Sequence, residues 1–515
     1  MNKHFKRGLW WVKRDFRITD NVALSDALAQ CETVTAVFII EPELCAAEET
    51  SFLHFHAWQQ AADYLSKQLT ALGGRLIIRI GRPEDVFESF RHTHQMDALF
   101  SHQETGSAVT FVRDLRVKRW ANENRVSWFE SHQNGVVRAL RDRDQRQHII
   151  RQRLFESSAM SAPSSMVSWQ DMPVSDLWPK FEPVSGKAVD ERIQVAELQI
   201  VTEAAAQRTL NSFLSDRGLR YSGGISSPNT AFTAGSRLSI HLAWGTISLR
   251  QVFHALQERG RELSSQSGAQ DMQWRRSLKA FQSRLHWHDH FMQRLESAPN
   301  MESEAINPAY RDIQYGDNEQ VLQAWSTGYT GLPLIDACIR CLAATGFLNF
   351  RMRAMLVTTG CFGLAQSWQA LQYPLARLFL DYEPGIHFSQ VQMQAGVVGI
   401  NTLRVYSPHK QLLDHDSNAQ FIKRWIPELR SFGAEAITSY ESQDLGDYPS
   451  PIVDIKATGK VIKDQVYAVR QSELGRKNAA TVLMLHGSRK RTTRRKAPKV
   501  KKPDKPDPQL SLDFD

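Results

Sequence analysis

Along the first 130 or so residues, short apolar runs alternate with amphipathic stretches. The runs at 9–12, 34–40, 76–80 and 98–101 are apolar at successive positions, which predicts strands buried on both faces. The stretches at 52–72 and 83–94 carry apolar residues at helical spacing instead. Strands that alternate with helices imply a parallel sheet covered on both sides, so residues 1–132 are expected to form a doubly wound α/β domain. No G-x-G-x-x-G follows the first run, so a standard dinucleotide fold is not indicated. From 133 to 203 the period fades and Ser, Pro and Met accumulate, as in a long connection between domains. Helical spacing returns at 204–214, 249–256, 332–342 and 351–364 with little strand-like alternation, which predicts an all-α domain over 204–487. No internal repeat is evident.

Charge changes the picture mainly at the C-terminus. Between residues 486 and 515 there are ten Lys or Arg against four Asp, which accounts for six of the chain's eight net positive charges. The body is therefore not strongly basic. A sequence-blind attraction to phosphate backbone is expected in the segment 488–515, whose composition cannot bury a core and predicts a disordered tail. No apolar run approaches the roughly 18 residues of a membrane span, and the opening residues lack the apolar stretch of a secretory signal. A cytoplasmic protein with no membrane partner is expected.

The five cysteines are too few, and odd in number, for a disulfide framework. Cys338 and Cys341 form a C-x-x-C inside an apolar helical pattern, with Cys361 further on, but no second pair completes four ligands. Buried core thiols are the simplest reading, and no metal is assigned.

Several longer motifs carry more specific information. WWVKRDFRITDNVAL covers residues 10–24, SRLSIHLAWGTIS 236–248, and GYTGLPLIDACIRCLAATGFLNFRMRAML 328–356. FLDYEPGIHFSQVQMQAG (379–396), YSPHKQ (406–411), FIKRWIPEL (421–429) and YPSPIVD (448–454) follow in order. Together they resemble the photolyase/cryptochrome family across nearly everything except the connection and the tail. The resemblance implies an antenna-type α/β domain joined to a helical domain that binds FAD. It also implies a blue-light-driven DNA photolyase that repairs pyrimidine photoproducts by electron transfer from reduced flavin. The alternative within the family is a cryptochrome-like photoreceptor without repair activity.

The residue chemistry suits a flavin independently. A diphosphate is held by backbone N–H groups at a turn entering a helix, with small hydroxyls and a cation nearby, and Gly235, Ser236, Arg237, Leu238 and Ser239 supply that set. Read alone, the same turn is equally a helix cap made by Ser236. By resemblance Tyr221 flanks the phosphates, and Arg353 and Asp381 form the pair beside the flavin ring. Glu383 replaces the family's Asp, and His387 stands where a photolyase has Asn facing flavin N5. A neutral imidazole there can donate or receive a proton near physiological pH.

Elsewhere the chain departs from its relatives. Of the three tryptophans through which the family reduces its flavin, Trp368 matches the middle one, but Val391 takes the flavin-proximal place and Tyr310 the outer one. Tyr382, Trp325 or another aromatic is left to substitute. Among the lesion-facing positions Trp287, Arg351 and Gln411 match, whereas Arg284 replaces a Glu, Phe350 an Asn and Met393 a second Trp. The implied DNA pocket is more apolar and has lost two polar readers. His286, His288 and His290 surround Trp287. Helical spacing puts His286 and His290 on one face, compatible with metal ligation, with proton donation to a lesion, or with packing. His102, Gln103 and Glu104 lie where the family can hold a second, antenna chromophore. Gln509 to Phe514 resembles a bacterial sliding-clamp-binding peptide, which adds a clamp to DNA as an expected partner and places the protein on the nucleoid.

Overall fold

The computed structural model describes residues 3–140, 142–265 and 267–487. Five parallel strands form one sheet: β1 (Phe5–Val12), β2 (Cys31–Ile40), β3 (Leu76–Ile80), β4 (Ala98–His102) and β5 (Ser127–Ser131), in the order β3-β2-β1-β4-β5. Successive residues of β1 serve opposite faces. Trp10 and Val12 join a core with Phe38, Leu53 and Trp58, while Leu9 and Trp11 join another with Val37, Ile77 and Phe87. Burial on both faces is why these strands read as continuous apolar runs. The four expected strands correspond to β1–β4. β5 was not anticipated because it is an edge strand: Ser127 is exposed, the next three residues are half-buried, and no apolar run marks it.

Helices Val22–Gln30, Phe52–Ala71, Pro83–His94 and Ala108–Glu123 connect the strands. Their ends follow local chemistry. The Asn21 side chain accepts from the Leu24 N–H at 2.9 Å, and Pro83 opens its helix where no donor is needed. Residues 133–203 contain only short helical turns, among them Arg146–Ile150, Phe181–Ser185 and Val195–Glu197. Between Glu203 and His486 every regular element is helical. The largest core of this part surrounds helix Pro333–Thr345, where Cys338 and Cys341 are fully buried with Cys361 nearby in the same core. Burial pushes all three thiols up, Cys341 to about 12.

The two domains meet on the loop that follows β1. Arg17 donates to the Gly245 carbonyl at 2.8 Å, Arg14 to the Tyr382 carbonyl at 3.1 Å, and Arg250 to Asp20 at 3.0 Å. Gly245 has φ +64°, and a Cβ there would stand 2.0 Å from the Arg14 carbonyl oxygen, so this approach admits glycine alone. The motif at 10–24 is thus both the end of a strand and the seat of the helical domain. Among the described residues no helix is long and apolar enough to cross a membrane.

Candidate functional site

The long helix Ala269–Ser297 and the helix Pro384–Gln394 pack together and form one side of a cleft of about 1040 Å³, open mouth included. The turn 235–239 and the segment 347–350 form the other. In its wall Arg353 and Asp381 make a two-pronged ion pair, Nη1 to Oδ1 at 3.0 Å and Nη2 to Oδ2 at 2.9 Å. Arg353 also donates Nε to the Leu348 carbonyl at 2.6 Å and stacks on Phe379, so its plane is set from three sides. Burial pushes the Asp381 carboxyl up, but Arg353, Ser239 and Arg237 outweigh it and hold the group below the usual carboxylate range.

At the turn, Arg237 adopts φ +60° and the chain enters the short helix Ser239–Ala243. The turn's carbonyls are held from behind. Arg217 donates to those of Gly235 and Ser236, and Gln199 to that of Arg237 at 2.8 Å. The Arg237 guanidinium lies 3.6 Å from the Phe347 ring centroid, and burial lowers its pKa to about 10. Tyr221 and Arg284 also line the cleft, and Arg284 stacks on Trp287 at 5.0 Å.

Four residues of the cleft carry buried polar atoms without a protein partner: Arg237 Nη1, Trp287 Nε1, His288 Nδ1 and Asn349 Oδ1. Buried polar atoms are nearly always satisfied, so their convergence on one open space fits a polar ligand. A cation beside a backbone turn, next to a fixed guanidinium–carboxylate pair, suits the diphosphate and ring of a flavin dinucleotide.

Comparison with known proteins agrees with this geometry. Residues 281–468 match the family model described as the FAD binding domain of DNA photolyase, and residues 8–153 match the DNA photolyase model. A deoxyribodipyrimidine photo-lyase of Halobacterium salinarum is 27% identical over 489 residues, 87% of this chain and 96% of that protein. A cryptochrome DASH of Natronomonas pharaonis is 26% identical, covering 87% and 98%. Among solved structures, a bacterial class III photolyase from Agrobacterium tumefaciens superposes with a TM-score of 0.76 at 20% identity, covering 92% of this chain and 99% of that one. The chain belongs to the photolyase/cryptochrome family. Its helical domain is the FAD-binding domain of that family.

The residues expected from the family divide into two groups. Tyr221, Gly235, Ser236, Arg237, Ser239, Arg284, Trp287, Phe350, Arg353 and Asp381 all line the cleft. The others stand apart from its wall. The Leu238 side chain is buried in a core with Leu210 and Phe213 and offers only backbone to the turn. Arg351 and Gln411 contact each other at 3.4 Å, and the half-buried Met393 lies one turn beyond the cleft-lining Gln390. Trp368, Val391, Tyr310 and Trp325 are all buried in the helical core.

His387 is enclosed by Phe379, Tyr382 and Phe388, next to the cleft-lining Ile386. Its Nε2 lies 2.8 Å from the Gln372 carbonyl, which can only accept, so Nε2 carries the proton. Burial lowers its pKa to about 4 against the pull of that bond. A neutral ring with Nε2 occupied leaves Nδ1 as an acceptor.

The three neighbouring histidines have separate environments. His286 packs against Phe155 and Phe253, and His290 sits between Arg143 and Arg294, with a pKa pushed well down by burial and then by those cations. They do not share a ligand position. His288 alone lines the cleft, with Nε2 2.7 Å from Glu383 Oε2. Burial lowers its pKa, but Glu383 outweighs this and raises it. Glu383 therefore holds a cleft histidine. Sequence reasoning weighed His288 without this partner; the sign available was the longer Glu where the family has Asp.

At the carboxyl ends of β1 and β4, where the strand order reverses, the expected antenna residues sit in a charged cluster. His102 Nδ1 lies 2.8 Å from Asp15 Oδ2. Arg113 reaches Glu41 at 2.9 Å, Glu104 at 2.6 Å and Asp114 at 2.9 Å, and Lys13 adds Asp114 at 3.3 Å. Burial pushes Glu41 up to about 7 despite Arg113. A narrow crevice lined by Gln103, Glu104 and Arg14 separates the cluster from Glu383 and His288. Such a switch point is where ligands of doubly wound folds bind.

Proposed function

We propose that this chain is an FAD-dependent DNA photolyase that uses blue light to split a pyrimidine photoproduct held in the cleft. The observation that carries the reading is one space with two chemistries: the fixed Arg353–Asp381 pair and the Arg237 turn, and the aromatic rings of Trp287 and Phe350. Bound in its reduced form, FAD supplies the light-excited electron donor. Arg353 and Asp381 orient the ring, and Arg237 and the backbone of 235–239 hold the diphosphate, with the neutral ring of His387 packed next to the cleft. Trp287 and Phe350 stack on the flipped-out bases, and Arg284 and His288 contribute donors where the family has other polar readers. Excluding water from this apolar pocket keeps donor and lesion in contact.

The test is incubation of the reduced holoprotein with oligonucleotides that carry a cyclobutane dimer or a (6-4) photoproduct, in blue light and in darkness. Light-dependent restoration of either is expected. Absence of both would remove the enzyme reading in favour of a photoreceptor, which the replacement of two polar readers by Arg284 and Phe350 favours. Any antenna pigment would meet Gln103 and Glu104 in the switch-point crevice. The acting site is the cytoplasmic nucleoid, with Gln509 to Phe514 engaging a sliding clamp; these residues lie outside the described part of the chain. Removing 509–515 should abolish capture by purified clamp while leaving FAD content unchanged.

A further inference from the structure

The family's route for electrons into the flavin is interrupted at Val391, and Trp368 lies buried in the helical core. A different series of rings begins beside the cleft and leaves through the α/β domain. Trp244 donates its indole N–H to the carbonyl of Leu380, the residue before Asp381, at 2.8 Å. Its ring centroid lies 6.0 Å from that of Trp58, edge to face. Trp58 contacts Phe38 at 6.4 Å and Phe55 at 6.3 Å, and these two rings contact Trp178 at 5.9 and 5.6 Å. Trp244 and Trp58 are buried, whereas Trp178, on the interdomain connection, is partly open to solvent. The Asp63 carboxylate neighbours Trp178, whose indole pulls its pKa down.

Charge gives this series a direction. The Arg14 guanidinium lies 4.6 Å from the Trp244 ring centroid, so positive charge on that indole is opposed. Asp63 stabilises the same charge on Trp178. Burial raises the Asp63 carboxyl, with Lys67 and the indole pulling it back, which makes it a better proton acceptor. An electron vacancy created near the cleft is therefore driven outward. Tyr382, stacked on His54 at 5.3 Å, is a poor station because its buried hydroxyl has no partner to take the proton that oxidation releases.

We propose that light-driven reduction of the flavin draws its electron through the α/β domain, along Trp244, Trp58 and Trp178, with Asp63 accepting the indole proton of Trp178. One electron passes from Trp178 to Trp58 across the Phe38 and Phe55 rings, which are not themselves oxidised, then from Trp58 to Trp244, and is accepted by the FAD in the cleft. Trp178, one electron short, releases its N–H proton to Asp63, and a soluble thiol then returns one electron and one proton to the neutral indole radical. The inference rests on the reading that the cleft holds FAD.

The test uses full-length holoprotein illuminated in blue light with a thiol. Flavin absorbance reports reduction, and electron paramagnetic resonance on protein with ring-deuterated tryptophan reports the indole radical. Trp58→Phe and Trp178→Phe should keep FAD and lose both photoreduction and the radical signal; Asp63→Asn should shorten the radical's lifetime. Trp178 is partly exposed, so W178F tests the route even where W58F disturbs packing. Wild-type photoreduction in W178F, or its loss in Trp368→Phe with retention in W58F, would overturn the route and leave the cofactor reading intact. A wild-type protein that carries no FAD would overturn the cofactor reading itself.

Discussion

Two of the places where charge is buried, the switch point of the sheet and the cleft of the helical domain, are satisfied differently. At the switch point one guanidinium, Arg113, serves three carboxylates, and Lys13 and Arg138 reinforce Asp114. In the cleft Arg353 and Asp381 are paired, yet Arg237 and His288 keep donor atoms with no protein partner. Charges that satisfy one another cement a fold, whereas buried donors without partners mark the place of something that arrives later.

The largest test of this contrast is Arg113→Ala. It leaves Glu41, Glu104 and Asp114 without their common cation and should cost about 3–5 kcal/mol in urea unfolding, with FAD per folded molecule unchanged. Arg353→Ala strands the buried Asp381 and should destabilise by a similar amount, about 3–5 kcal/mol, but here bound flavin, read from visible absorbance, should fall as well.

Arg237→Met separates the two regions most sharply. Arg237 Nη1 has no protein partner, so apo stability should change little, while FAD affinity drops by about 1.5–3 kcal/mol with the lost charged hydrogen bond. Equal losses in both measurements would erase the distinction. Trp287→Ala should weaken lesion-containing DNA by about 1–3 kcal/mol, a base-stacking contribution, without changing FAD content in a titration of the holoprotein.

The smallest effect is pH-dependent. Glu383 raises the pKa of His288 above its unfolded value near 6.5, so the pair's stabilisation is complete below that pH and disappears as pH rises through the folded value. The stability difference between wild type and Glu383→Gln should therefore shrink from pH 6 to 9; a constant difference would mean the pair is not ionic.

Much of this was legible in one dimension. Strands β1–β4 are apolar on both faces, so burial is written into consecutive residues, whereas the edge strand β5 carries Ser127 and Glu130 and reads as loop. The Arg353 and Asp381 pair was reached through motif resemblance, because both residues lie within continuous signatures. The Glu383 hold on His288 was not, since the partners are 95 residues apart and belong to two separate motifs. Nor was the tautomer of His387, which a carbonyl of another helix sets by occupying one ring nitrogen.

By itself the sequence determined the layered α/β domain, the helical domain and the family, because periodicity and contiguous motifs are properties of neighbouring residues. Tertiary structure alone decided which charges are spent on each other and which are left for a ligand. It also decided that the rings of Trp244, Trp58 and Trp178 fall into one series. Partners, burial and ring contacts arise between residues far apart in the chain, and only packing brings them to within a few ångströms.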